Sequence, residues 1–332
     1  MKTMKWLLRR EFWEHKGAFF WAPLIVAIAM VVLVGGSLAY GLIGGHFSNV
    51  TVVNGHEVSR VDVIDSMPPE MRGKVAGIAA GSYLAAAAPL FVVLPVVVFF
   101  YCLAALYDDR RDRSILFWKS LPMSDQTTVL SKVVTALVVA PLITIAIGVA
   151  TSLLLLFIGA VGATFKGLSL FGPLLSSPDL YLAPLRLIAL LPVYILWALP
   201  TVGWLMLVSS WARSKVFLWA VGVPLIVAVL LKWLDFMLMR SLGSLNSVID
   251  VNWFMDNVIV RGLGGLVPGI WMADGVVPKS ALMASSGDGF DFGQVVLHSW
   301  ATLAQPGVWL AAAVGVAMLF GAARMRRWRD EG

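Results

Sequence analysis

Polar stretches divide the chain into six long apolar runs: 21–44, 77–106, 133–161, 187–209, 216–238 and 302–323. A helix of about 20 apolar residues crosses a hydrocarbon core roughly 30 Å thick, so each run predicts a membrane span. The first run is longer than the apolar region of a signal peptide, about 7–15 residues, and predicts an uncleaved span. Residues 75–106 predict a helix about 48 Å long at the α-helical rise. It must project, tilt, or bend at Pro89 or Pro95.

Ahead of the first run, Met4, Leu7, Leu8, Phe12, Ala18 and Phe19 recur near helical spacing, opposite Lys5, Arg9 and Glu11 or Lys16. Residues 1–20 therefore predict an amphipathic helix lying in the membrane plane. Residues 45–76 are polar and mixed, and predict a short ordered excursion. In 239–301 the apolar stretches are too short to span. They predict short helices at or dipping into the outer leaflet, with Trp253, Phe254 and Trp271 as interfacial anchors. The fold class expected is an all-α polytopic membrane protein forming a single domain over 1–332.

Charge sets the orientation. Residues 1–20, 107–132, 210–215 and 324–332 hold 16 of the 25 Lys and Arg residues in 61 of the 332 positions. Placing all four segments in the cytoplasm satisfies the positive-inside rule and puts both termini there. Composition agrees: 59% of residues are hydrophobic and 13% charged, about half the charge of a soluble domain. The net charge of +6 follows the ends of the apolar runs, which argues for lipid and against nucleic acid as partner. Cys102 stands alone inside an apolar run and is expected to be a small buried hydrophobe.

The span cores are read as uncharged, with Lys132 and Arg186 at their edges. That argues against an ion-coupled carrier or an intramembrane metalloprotease, both of which need titratable or ligating side chains at depth. "HEVSR" at 56–60 has Arg60 where a zinc-binding helix needs a second His, and no GxSxG elbow or GxxxxGK[ST] phosphate loop occurs. No catalytic residue or metal ligand is expected, and energy for any active transport must come from another polypeptide. A membrane enzyme would have to work outside, where His46, His56, Glu57, Asp274, Asp288 and His298 lie. A sensor or scaffold that docks a partner without moving cargo is the other alternative.

The segment "YDDRRDRSILFWKSLPMSDQTTVLSK" at 107–132 gathers nine charges into 26 residues. Asp108, Asp109, Arg110, Arg111, Asp112 and Arg113 alternate in sign with no net charge, which suits ion pairs with a protein surface better than a headgroup anchor. Ile115, Leu116, Phe117 and Trp118 form one short turn before Pro122. That turn either plugs into a partner's groove or floats among headgroups. Ser124 is the expected N-cap of the following helix, with Asp125 in its first turn.

Together, the in-plane N-terminal helix, the six spans, this charged segment and the structured part between spans five and six resemble the ABC-2 type transporter permeases. The run from Asp108 to Lys132 carries the most specific likeness. The resemblance implies a bacterial cytoplasmic-membrane exporter subunit that pairs with a second permease copy, identical or different. It also implies two separate ATP-binding subunits, which hold ATP and Mg, so this chain binds no cofactor itself. Residues 114–121, including Lys119, would be the coupling helix that docks on the ATPase. The loop at 209–215, with Arg213 and Lys215, would be a second contact. An apolar path implies an amphipathic or hydrophobic cargo: lipid, peptide or drug-like.

Overall fold

In the computed structural model, residues 2–43, 50–53, 56–59, 69–111, 124–165, 169–241, 251–272 and 292–328 are described. Six helices are long and apolar enough to cross a membrane: Gly17–Gly41, Met71–Arg111, Asp125–Thr164, Pro178–Trp211, Leu218–Met237 and Pro306–Arg326. Each overlaps one predicted run. The protein is thus a helical, multi-pass membrane protein in architecture. Among the described residues the one β element is a hairpin pairing Val50–Val53 with His56–Ser59.

The bundle is organised on span four, which packs against spans two and six. Span two buries Leu90, Leu94, Val98 and Cys102 at four-residue spacing. This stripe belongs to the same core as Val193, Trp197, Val202, Leu205 and Met206 of span four. Cys102 is fully buried there, as expected. Lipid supplies no hydrophobic drive between helices, so close approach and hydrogen bonding must hold them. Spans four and six meet that demand with glycine. A Cβ on Gly203 would lie 2.5 Å from the Gly315 carbonyl oxygen, and one on Gly315 would lie 2.7 Å from the Leu199 oxygen. The outward faces are large and apolar, with Ile25, Val32, Leu33, Leu225, Ile226, Val229 and Leu230 exposed, the inverse of a soluble surface.

Prolines shape the spans. Proline lacks an N–H and its ring collides with the carbonyl four residues back. Before Pro89 the helix tightens into a 3₁₀ turn over Tyr83–Ala87, where the Ala88 N–H donates to the Ala85 oxygen. The carbonyl that Pro89 cannot use is thereby occupied, at the first of the two sites where the long second helix is expected to bend. Spans one, three and five solve the problem the opposite way. Each opens a wide π turn two residues ahead of a proline: Gly17–Trp21 before Pro23, Thr135–Val139 before Pro141, and Leu218–Gly222 before Pro224. There the Ala22 and Ala140 N–H groups reach five residues back, to Gly17 and Thr135. Side chains from other segments fill two freed carbonyls. The Trp204 indole donates to the Ala220 oxygen at 2.9 Å, four residues before Pro224. The Tyr83 hydroxyl donates to the Leu180 oxygen at 3.1 Å, four residues before Pro184.

Three expectations are corrected. The span cores are not all uncharged: Lys232 and Asp235 lie inside Leu218–Met237. Both stand near the end of that span, from where a long Lys side chain can reach the interface. Trp271 is not an interfacial anchor, because it is buried in the core and its indole donates to Ser299 Oγ at 2.9 Å. Glu11 does not sit on the polar face of the N-terminal helix Lys2–Glu14. It is buried beside Leu7, one helical turn away.

The glycine contact predicts a stability effect. Gly203→Val should lower the melting temperature of the detergent-solubilised protein by several degrees, since overpacking costs about 1–3 kcal/mol. Gly77→Ala, where nothing lies within 4 Å of the added methyl, should not. An unchanged melt for Gly203→Val would mean that the two backbones are not in contact.

Candidate functional site

The end of the bundle that carries both terminal helices holds a buried ion network. Lys132, at the start of span three, places Nζ 3.1 Å from Glu11 Oε1 and 3.5 Å from Asp109 Oδ1. Arg326, at the end of span six, places Nη1 3.1 Å from Asp109 Oδ2 and Nε 3.4 Å from Asp125 Oδ1. Tyr101 of span two donates to Glu11 Oε2 at 2.9 Å. Lys132 is 3% exposed and Glu11 1%. Such charges persist in a dry site only when each is matched. Three carboxylates and two cations therefore tie the N-terminal helix to spans two, three and six. The His15 and Phe19 rings meet Tyr101 edge-on at 4.8 and 4.9 Å and extend the same joint.

A second clamp adds span four. The span two helix breaks at Leu106, leaving backbone groups without helical partners. Ser209 Oγ accepts from the Leu106 and Tyr107 N–H groups at 3.1 and 3.0 Å and donates to the Leu103 oxygen at 2.7 Å. The short helix Tyr107–Arg111 follows. From it Arg110 Nη2 donates to the Ser209 and Ala212 oxygens at 2.6 and 2.9 Å. Ser124 caps the next helix as expected, its Oγ accepting from the Thr127 N–H at 3.2 Å, with Asp125 in the first turn.

The expected docking residues divide accordingly. Asp108 and Arg111 are exposed beside the clamp. Asp109 and Arg110 are turned inward, a correction to their assignment as partner-facing groups, because the carboxylate and guanidinium serve the bundle itself. Arg213 and Lys215 are exposed on the tight turn between spans four and five. Lys215 has φ 50°, and its carbonyl accepts from the Leu218 and Trp219 N–H groups. Arg110 thus joins the two loops expected to meet a partner. Asp112, Arg113, Ile115, Leu116, Phe117, Trp118 and Lys119 lie outside the described residues, as do His46, Asp274 and Asp288. The roles of Glu11, Lys132, Arg326 and Ser209 do not emerge from the sequence pattern. The only signal is an acid at helical spacing from a leucine of the apolar face.

Higher in the bundle, spans two, three and four enclose a cavity of about 660 Å³ with 267–272 and Phe292–Ala301. Its walls include Leu84, Ala88, Phe91, Pro95, Ile145, Leu191 and Trp271. Ser82 and Tyr194 bring the hydroxyls, and that of Tyr194 is buried without a hydrogen-bond partner among the described residues. A wall of this kind offers apolar contact and cannot solvate a bare ion. Its volume falls in the range of small-molecule sites, roughly 300–1,000 Å³.

Comparison with protein-family models, with curated proteins and with solved structures gives no match.

The network predicts a double-mutant signature. Lys132→Met leaves Glu11 and Asp109 short of a buried cation and should destabilise the protein by about 3–5 kcal/mol. Adding Glu11→Gln should restore part of that loss, because one stranded charge is removed. Additive losses in detergent unfolding curves would show that the two residues do not interact.

Proposed function

We propose that this chain is the membrane-embedded permease subunit of an ATP-driven exporter of the ABC-2 type. It works as a pair in the bacterial cytoplasmic membrane and is powered by separate ATP-binding subunits. The face carrying the ion network is the cytoplasmic one, in keeping with the excess of Lys and Arg in 1–20, 107–132, 210–215 and 324–332. The N-terminal helix lies along the inner leaflet, with Trp6 and Trp13 outermost. Arg9 and Lys16 stand over those rings at 5.8 and 5.4 Å.

The observation that carries this reading is the mounting of segment 107–111. A segment that only linked spans two and three would need no ion pair or hydrogen bond to two further spans. Here its first residues are joined to spans three and six through Asp109, and to span four through Arg110 and the Ser209 clamp. A partner pressing on 112–121 would move those spans as one body, which is what coupling of ATP closure to a membrane pathway requires. Exposed Arg213 and Lys215 give the partner a second point of contact. The apolar cavity suits an amphipathic or hydrophobic cargo.

Phe117→Asp combined with Trp118→Asp tests the docking. Membrane insertion should be unchanged while copurification of the ATP-binding subunit is lost. Copurification at the unsubstituted level would refute the reading.

A further inference from the structure

The outer side of the N-terminal helix is patterned. Trp6, Arg9, Trp13, Lys16 and Phe20 recur at alternating steps of three and four, and all are exposed. Steps of that kind keep side chains on one helix face. Leu7, Glu11 and Phe19 lie on the other side and are buried. The backbone carries the exposed stripe into span one without interruption. The His15 N–H donates to the Glu11 oxygen, and the Ala18 and Phe19 N–H groups donate to the His15 oxygen. Beyond it, Trp21, Ile25, Ile28 and Val32 of span one are exposed and meet acyl chains. A phospholipid lying against span one therefore brings its phosphate to Lys16, the residue immediately before Gly17–Gly41. Arg9 meets head groups at the same level because the helix lies along the leaflet.

Both cations are placed to meet phosphate. The Arg9 guanidinium carbon lies 5.8 Å from the centre of the Trp6 ring, and Lys16 Nζ lies 5.4 Å from that of Trp13. Each ring engages one side of its cation and leaves N–H groups to donate to phosphate oxygens. Arg10 is paired with Glu14 at 3.2 Å, whereas Arg9 and Lys16 face no carboxylate among the described residues. A zwitterionic head group sets its own amine against its phosphate, while an anionic one leaves its charge to be matched by basic side chains. Tryptophan rings favour the same head-group level. We propose that this stripe binds anionic phospholipid, the phosphates on Arg9 and Lys16 and the acyl chains along the exposed face of span one. The inference rests on the in-plane placement of the helix given above and needs no ATP-binding partner.

The test uses the purified full-length protein in nanodiscs of equal parts phosphatidylglycerol and phosphatidylcholine, with one of the two spin-labelled near its head group. A fluorophore on Gly17→Cys, an exposed position with nothing within 4 Å of the added Cβ, reads contact quenching by each lipid. The local ratio of phosphatidylglycerol to phosphatidylcholine should exceed the bulk ratio about fivefold, one basic side chain's share of the attraction at an anionic surface. Arg9→Gln with Lys16→Gln should return it to the bulk ratio. Arg213→Gln with Lys215→Gln removes the same charge from the same end of the bundle and should leave the enrichment in place. In about 1 M salt, where the screening length falls to roughly 3 Å, the unsubstituted protein should lose it too. Equal quenching by the two lipids, an enrichment that survives Arg9→Gln with Lys16→Gln or high salt, or an equal loss in the Arg213 and Lys215 variant would overturn the proposal alone. A fluorophore on Lys5→Cys, also exposed, should be quenched as well. Quenching there by neither lipid, the result for a helix face standing in water to receive a protein, would overturn the in-plane placement and the proposal with it.

Discussion

Asp109 is the residue on which the arrangement of this bundle turns. Its two carboxylate oxygens face Lys132 and Arg326 separately, so one short side chain joins the end of span two to the start of span three and the end of span six. Lys132 extends the joint to Glu11 and the N-terminal helix. Segments from both ends of the sequence therefore close on one buried point. In a bilayer, where apolar faces gain little by meeting each other, matched charges at the membrane edge define which helix ends belong together. The remaining charge of the five groups is negative, and the neighbouring Tyr101 hydroxyl donates into it at Glu11.

Above that joint the spans are governed by the need of backbone carbonyls for partners. Proline in a membrane helix strands an acceptor with no water to take it. The 3₁₀ turn before Pro89, the three π turns and the donors Trp204 and Tyr83 are different solutions to that one problem. They also have packing consequences. Trp204 binds span five to span four, and Tyr83 binds span two to the helix Pro178–Ala189. The apolar cavity is lined by Pro141, one of these sites, and by Pro95 of span two, where helices cannot pack as uniform rods.

Much of this plan is legible in one sequence because it follows from local rules. Span number follows from run length, the Ser124 cap from residue type ahead of an apolar helix, and the burial of Cys102 from its neighbours. The partners of charged residues do not follow in this way. By sequence Asp109 is one of six alternating charges facing outward, yet its neighbour Asp108 is exposed while Asp109 is buried. A helix turn of about 100° per residue separates those fates, and the cations that decide between them lie elsewhere, Lys132 in span three and Arg326, 217 residues away in sequence. Glu11 misleads for the same reason: an acid belongs on a polar face unless a cation from another segment waits beneath it. Trp271 resembles an interfacial tryptophan because nothing local announces Ser299.

The central claim is that the charged end of the bundle moves as one body. It is tested most directly by electron paramagnetic resonance distances between spin labels on Arg9→Cys and Lys215→Cys, both exposed, with the native Cys102 buried from the reagent. One narrow distance is expected, and it should broaden when Asp109→Asn is added. A broad distribution before that substitution, or an equally narrow one after it, would contradict the claim.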